Sequence, residues 1–236
     1  MCSTTNRELI MLKSTHTKIY IIALILLIGL SLSAQLNIKV GYEYNRSNKA
    51  TLANLISQYN AERPFLEVPL DQAKNKSGVA LGIRYRYYTA AVEMFAHRST
   101  GENEAIGNDN GTNFNEKIST TNLYYGLALE NQFGIIGLGA SIGYETLKFK
   151  TKVTGNNKTR EFLNQKELAG RLYLNFEFAS DKIAFSIKPY YHFSLGEYDL
   201  VPFKNELLPN VDVNAADLVI KLTSWGITVI LYNGAQ

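Results

Sequence analysis

The sequence predicts an all-β protein: an eight-stranded antiparallel up-and-down transmembrane β-barrel preceded by a signal peptide. Three observations carry that expectation. A short apolar run near the N-terminus ends in small residues. The rest of the chain alternates apolar and polar residues with period two in eight segments. The connections between those segments are long and short by turns.

The N-terminal run, Ile19 to Leu32, reads IYIIALILLIGLSL. A spanning helix needs about 20 apolar residues, so this run is short for one. Lys13 and Lys18 precede it and Ser31-Leu32-Ser33-Ala34 closes it, the basic, apolar, small-residue order of a secretory signal. Cleavage is expected after Ala34, with Ser33 the alternative. This divides the chain into a signal peptide, residues 1–34, and a barrel domain, residues 35–236. Met11 is an alternative start to Met1. The competing reading of the segment is an uncleaved membrane anchor.

Composition narrows the rest. The 236 residues are 46% hydrophobic with a formal net charge of +3, which excludes a disordered chain and offers no basic footprint for nucleic acid. The 1 cysteine, Cys2, lies in the expected signal, so no internal disulfide framework exists.

The strands follow in order. Leu36, Ile38, Val40, Tyr42 and Tyr44 share one face; Asn37, Lys39, Gly41, Glu43 and Asn45 share the other. Val79 to Tyr87 repeats the pattern with Arg84 and Arg86 on its polar face. Ala90 to Phe95 places Glu93 there, and Leu123 to Glu130 places Tyr124 and Glu130. Ile136 to Glu145 adds a glycine column at Gly137, Gly139 and Gly143. Leu168 to Phe178 opposes Glu167, Arg171, Asn175 and Glu177, and Ile183 to Ser194 opposes Lys188, His192 and Ser194. The eighth run begins with Leu218, Ile220 and Leu222 on one face and then favours Ile227, Val229 and Leu231. A bulge near Ser224–Gly226 is the expected cause.

Long connections are expected at 47–76, 98–120, 150–166 and 197–216, with a helical turn in Thr51–Tyr59. Short ones are expected at Tyr88-Thr89, Asn131–Gly134 and Ser180-Asp181. Two-residue hairpins centred on these turns place Arg84 opposite Glu93, Tyr124 opposite Ser141, Tyr173 opposite Lys188 and Glu167 opposite Ser194. All three keep polar faces together.

Alternation leaves open whether the apolar face looks inward or out to lipid. Charges of both signs share the polar face, while the apolar face ends in Tyr42, Tyr44, Tyr85, Tyr87, Tyr144 and Tyr191, where an interfacial girdle would sit. A bilayer admits strands only as a closed barrel, because unpaired backbone groups are costly in lipid. The competing reading is a soluble lipocalin-like barrel with the apolar face inside.

With the SLSAQ junction, the opening LNIKVGYEYNRS and the terminal WGITVILYNGAQ, the chain resembles the outer membrane protein beta-barrel domain proteins of Bacteroidota, similar in architecture to small OmpA-like barrels. Ser224, Gly226, Val229 and Leu231 loosely match a C-terminal assembly signal, and the chain continues past Tyr232. The resemblance implies a bacterial outer-membrane location, with outer-membrane lipid and the barrel-assembly machinery as partners.

Eight strands enclose a lumen that side chains just fill. Its charges are expected to form a compensated plug, with Arg84–Glu93 the leading pair and Glu43, Arg171, Glu177 and Lys188 as further members. His192-Phe193-Ser194, with Glu167 nearby, is similar to the His-x-Ser of outer-membrane lipid A deacylases, but Leu195 stands where they carry Asn. His97 and His192 make no metal set, and Asn108-Asp109-Asn110-Gly111 lacks calcium-loop ligands at its first and last positions. No catalytic, cofactor-binding or metal site is therefore expected. The expected role is structural or surface-interacting, an extracellular ligand or protein meeting the four long loops. A narrow channel and a lipid A-modifying enzyme are the alternatives.

Overall fold

The computed structural model describes residues 35–47, 50–71, 75–154, 158–180 and 182–233. The expected signal peptide, residues 1–34, lies outside them. In chain order the elements are β1 (Gln35–Ser47), α1 (Ala50–Ala61), β2 (Leu66–Val68), β3 (Asn75–Tyr87), β4 (Ala90–Asp109), β5 (Thr112–Phe133), β6 (Ile136–Val153) and β7 (Arg160–Ala179). Then come β8 (Ile183–Ser194), β9 (Tyr198–Asp199), α2 (Val201–Leu207), a 3₁₀ turn (Ala215–Leu218), β10 (Val219–Ile220) and β11 (Thr223–Asn233).

Eight strands close into a barrel. Each of β1, β3, β4, β5, β6, β7, β8 and β11 pairs antiparallel with the next, and β11 pairs back onto β1 from Lys39↔Tyr232 to Ser47↔Ser224. Closure removes the unpaired edge that lipid cannot satisfy. The expected faces are the observed ones: Leu36 is 67% exposed and Ile38 55%, whereas Asn37 is 0% and Lys39 2%. Leu81, Met94, Leu129, Ile142, Leu172, Ile183 and Leu231 continue the apolar belt around the wall. The chain is a transmembrane barrel with its charges turned inward.

Two short turns sit slightly beyond their expected centres. Tyr87↔Ala90 and Arg84↔Glu93 confirm the first turn. Tyr124 pairs with Glu145, not Ser141, so the second hairpin turns at Gly134-Ile135, where Gly134 has φ 66°. In the third, Tyr173 pairs with Tyr190, not Lys188, and Ser194 with Ala169, not Glu167. Each shift is by an even number in the residue sum, so every side chain keeps its face.

The long connections depart more. Residues 98–120 are not a loop: β4 and β5 pair continuously from Ala90↔Asn131 to Asp109↔Thr112. Their tip is Asn110-Gly111, with φ of 49° and 84°, and Gly111 N–H donates to Asn108 Oδ1 at 2.7 Å. That is the Asn-Gly pattern of a primed hairpin turn. Most of the expected 150–166 loop is likewise strand in β6 and β7. The wall therefore rises further on its β4–β7 side than at β1, β3, β8 and β11.

No bulge interrupts β11, whose register runs unbroken against both β1 and β8. The change near Ser224 is one of polarity, not of facing. Leu218, Ile220 and Leu222 are buried above the barrel, whereas Ile227 and Leu231 are exposed to lipid. β6 shows the same inversion: its inward row passes from Glu145 to Leu147 and Phe149, its outward row from Tyr144 to Lys148 and Lys152. Below this level lipid lies outside; above it water does, and the apolar residues move inside. The inversion marks the membrane boundary.

Above the boundary the connections fold into a cap. Leu55, Ile56 and Tyr59 of α1, Phe203 and Leu207 of α2, and Leu218, Ile220 and Leu222 bury against Ile118, Leu147, Phe149 and Leu163 of the wall. The expected helical turn is α1, three turns long. Phe203 stands edge-on to Phe149, with ring centroids 5.0 Å apart. Arg63 ties the two helices together, donating to Leu207 O at 3.0 Å with its guanidinium 3.9 Å from the Tyr59 ring.

One feature of the belt runs against strand chemistry. Pro189 lies in mid-β8, and the β7–β8 register runs from Tyr173↔Tyr190 to Phe176↔Ile187 without pairing Leu174 or Asn175 between them. Proline has no N–H to give the ladder. Pro189→Val should restore that donor and raise unfolding stability by about 1 kcal/mol. An unchanged or lower urea midpoint in detergent would contradict this.

Candidate functional site

The lumen contains ion pairs at three levels along its axis. At the short-turn end Arg84, the expected partner of Glu93, instead meets Glu177, with Glu130 at 3.9 Å. Arg86 Nη1 reaches Glu177 Oε1 at 2.5 Å, and the Arg84 guanidinium lies 3.6 Å from the Tyr232 ring. Asn175 donates to Glu130 Oε1 at 2.7 Å and to Glu177 Oε2 at 3.2 Å.

At mid-height Glu93 takes Lys39 Nζ at 2.5 Å and Lys188 Nζ at 3.5 Å, and accepts the Tyr232 hydroxyl at 3.0 Å. Lys188 also meets Glu130 Oε2 at 2.7 Å. Tyr173 lies beneath Lys188, its ring centroid 4.9 Å from Nζ. A Cβ on Gly139 would run into that ring. Gly139, one of the glycines of the column expected in this strand, therefore makes room for an inward tyrosine.

Near the cap Arg171 grips Glu43 with both terminal nitrogens, at 2.8 and 3.1 Å. Its guanidinium sits between the Tyr124 and Tyr190 rings, 4.5 and 4.2 Å from their centroids. His97 bridges Glu43 and Lys39, the latter at 3.1 Å. His192 accepts from Arg171 Nε at 3.2 Å and lies 2.9 Å from Glu145 Oε1. Four carboxylates, Glu43, Glu93, Glu130 and Glu177, thus pair with Lys39, Arg84, Arg86, Arg171 and Lys188, while Glu145 faces His192 and the buried Lys76. The planar guanidinium suits the bidentate clamp on Glu43.

The cap locks onto this network. Tyr198 reaches down to Glu145 Oε2 at 2.9 Å, while Ser194 Oγ accepts Leu222 N–H at 2.7 Å. A second buried polar knot joins α1 to the wall: Tyr59 donates to Glu116 Oε2 at 2.6 Å and Thr151 to Glu116 Oε1 at 2.8 Å. Burial, with the hydrogen bond to Glu116, pushes the Tyr59 phenol above the usual tyrosine range.

The sequence candidates fall as follows. Glu43, Glu93, Arg171, Glu177 and Lys188 are all lumenal, with Arg84 turned to another partner. His192 and Ser194 face inward and are occupied by Arg171, Glu145 and Leu222. The expected Glu167–Ser194 juxtaposition is absent because the third hairpin turns later. Glu167 instead lies against Gly196. Asn108–Gly111 is a hairpin tip. No group of three or more metal-ligating side chains occurs among the described residues. Tyr198 and Glu116 were not singled out from sequence; apolar residues clustered within the long connections were the available signal for a folded cap.

Two spaces accompany these groups. A cavity of about 30 Å³ lies among Lys39, Glu93, His97, Arg171 and Lys188, room for a water or two. A cleft of about 370 Å³ lies between α1 and the 3₁₀ turn, lined by Thr51, Asn54, Gln58, Val213 and Asp217.

The chain is similar to several solved structures. Ail, the attachment invasion locus protein of Yersinia pestis, in a complex with the heparin analogue sucrose octasulfate, matches with a TM-score of 0.44 and 17% identity, over 85% of this chain and 99% of that one. Neisserial surface protein A matches with a TM-score of 0.39 and 8% identity, over 85% and 98%. The translocator domain of the autotransporter NalP from Neisseria meningitidis gives 0.34 and 9%, over 85% and 88%. No family model and no curated protein matches the chain.

Proposed function

We propose that this protein is a non-enzymatic outer-membrane barrel whose lumen is closed and whose folded cap is a surface for interaction outside the cell. The carrying observation is the join between the two halves of the site: an ion-paired lumen roofed by an apolar cap and tied to it through Tyr198 and Ser194. A diffusion channel needs a continuous aqueous path, whereas this lumen is filled by paired side chains with a gap for a water or two. The cap's preorganised helices and the cleft beside α1 favour recognition over transport.

The short turns face the periplasm in this reading, with the cap outward and residues 1–34 removed as the export signal. Outer-membrane lipid and the assembly machinery are its partners in the envelope. We also group it with the Bacteroidota outer membrane protein beta-barrel domain proteins, on the residues that carry that resemblance. The absence of catalysis is supported by the engagement of Ser194 with Leu222 and of His192 with Glu145 and Arg171.

Purified protein in planar bilayers is expected to give no discrete conductance. Removing the cap segment 197–216 should still leave the lumen closed, because the ion pairs below it remain. Stepwise currents from the intact protein, altered by Arg84→Ala, would establish the narrow-channel alternative. Release of fatty acid from lipid A, abolished by His192→Ala, would establish the enzymatic one.

A further inference from the structure

The outer wall above the membrane boundary is not uniformly charged. On β6 the outward row continues from Tyr144 through Thr146 to Lys148, Lys150 and Lys152. β7 contributes Lys166, paired with Thr146, and β5 contributes Lys117, paired with Lys152. Lys117 is bridged to Glu102 at 2.5 Å and Lys150 to Glu161 at 3.5 Å. Among the described residues, Lys148, Lys152 and Lys166 have no carboxylate within ion-pair distance. On the opposite wall β1 carries Arg46 alone at the corresponding level, and its neighbours β3, β8 and β11 end near the boundary.

The lysines begin where the lipid belt ends. Lys166 Nζ lies 4.3 Å from the Tyr144 ring centroid and 5.3 Å from that of Tyr125, a cation seated on the aromatic girdle. A tilted strand climbs about 5 Å per outward-facing residue, so Lys148, Lys150 and Lys152 stand about 10, 15 and 20 Å above Tyr144. A phospholipid headgroup layer is only about 6 Å thick on each side. Lys166, and Lys148 with its stem bent toward the membrane, can serve such a layer. Lys152 stands clear of it.

We propose that the β5–β7 wall binds an anionic glycolipid of the surrounding leaflet, one carrying phosphate or carboxylate groups at more than one height along its sugars. Its acyl chains lie against the apolar belt below Tyr125 and Tyr144. Its lowest charge meets Lys166 and Lys148, and its outer saccharide charge meets Lys152. The position of the lysines, continuous with the lipid-facing surface and rising along a single wall, selects a lipid over a soluble polyanion. The inference rests on the cap facing outward, and protease access to the cap on intact cells tests that point separately.

The test uses full-length protein in bilayers of phosphatidylcholine doped with either phosphatidylglycerol or a lipopolysaccharide with phosphorylated core sugars. Lipid retained on the barrel after mild extraction is counted by native mass spectrometry. Wild-type protein should retain the glycolipid, and the triple variant K148Q/K152Q/K166Q should bind it about a hundredfold more weakly, each lysine adding a surface-charge contribution. These side chains lie on the outer surface, apart from the lumenal ion pairs and the cap core, so heat-modifiable gel mobility should be unchanged and serves as the folding control. Lys152→Gln alone should weaken glycolipid retention and leave phosphatidylglycerol unaffected. Equal retention by wild type and triple variant overturns the proposal. So does equal retention of the two lipids, which would reduce the wall to a general headgroup contact. Tight binding of the deacylated core saccharide in place of the lipid would overturn it in favour of a soluble ligand.

Discussion

Arg171→Met is expected to destabilise the barrel by about 3–5 kcal/mol, the largest single effect in the lumen. The substitution roughly keeps side-chain volume and removes the charge. It deprives Glu43 of a bidentate partner at 2.8 and 3.1 Å while leaving that carboxylate 1% exposed. Stacking between Tyr124 and Tyr190 is weakened by the same change, and His192 loses a donor. The cost is that of a stranded charge, so neutralising the stranded partner should return much of it. Glu43→Gln/Arg171→Met is accordingly expected to recover more than half of the loss. Unfolding in urea, followed by the loss of heat-modifiable mobility, measures both. Equal losses in the single and double variants would show that the pair contributes through packing and not through charge.

Phe203→Ala should cost about 3–5 kcal/mol in the cap with little effect on the barrel. Phe203 is 1% exposed and fills the space between Phe149 and Phe162, with centroids 5.0 and 5.6 Å away. Removing the ring leaves α2 without its principal anchor to the wall. Trypsin should then cut at Lys204, a site the intact cap shields in part, while the barrel keeps its heat-modifiable shift. The separation is expected because the barrel strands close through backbone bonding that does not involve the cap. If the barrel transition falls together with cap resistance, cap and barrel form one cooperative unit and the prediction fails.

Much of the wall was legible from the chain, and the reason is local. In a strand each side chain's facing follows from its residue number, so Lys39, Glu43, Arg84 and Lys188 could be assigned to the lumen without any knowledge of partners. Even the misplaced turns after Phe133 and Ala179 moved no residue across the wall, since their errors were even in the residue sum. The 98–120 segment was missed for another reason. Above the membrane its outward residues, such as Arg98, Glu102 and Lys117, are polar because they meet water, and its inward ones are less regular. The apolar stripe that marks the strand lower down is absent, although Asn110-Gly111 marked the turn.

The apparent parity change in the last run has the same origin. Leu222, just before β11, and Ile227 within it face opposite ways and are both apolar, because one sits under the cap and the other against lipid. Period-two reading takes apolar residues as belonging to one face, which holds only while the surroundings stay constant along the strand. Crossing from bilayer to water exchanges them.

Facing, strand number and the lipid-exposed belt were thus determined by the sequence alone, because period-two geometry is a property of each strand by itself. Ion-pair partners were decided by the tertiary structure. Arg84 sits beside Glu93 across the β3–β4 ladder yet turns to Glu177 on β7, a residue 93 positions away. That choice depends on which strands the closed, tilted wall brings face to face across the lumen. The cap was decided there too: its apolar residues are scattered among polar loops, and only closure of the barrel places Phe149, Leu163, Phe203 and Leu218 around one core.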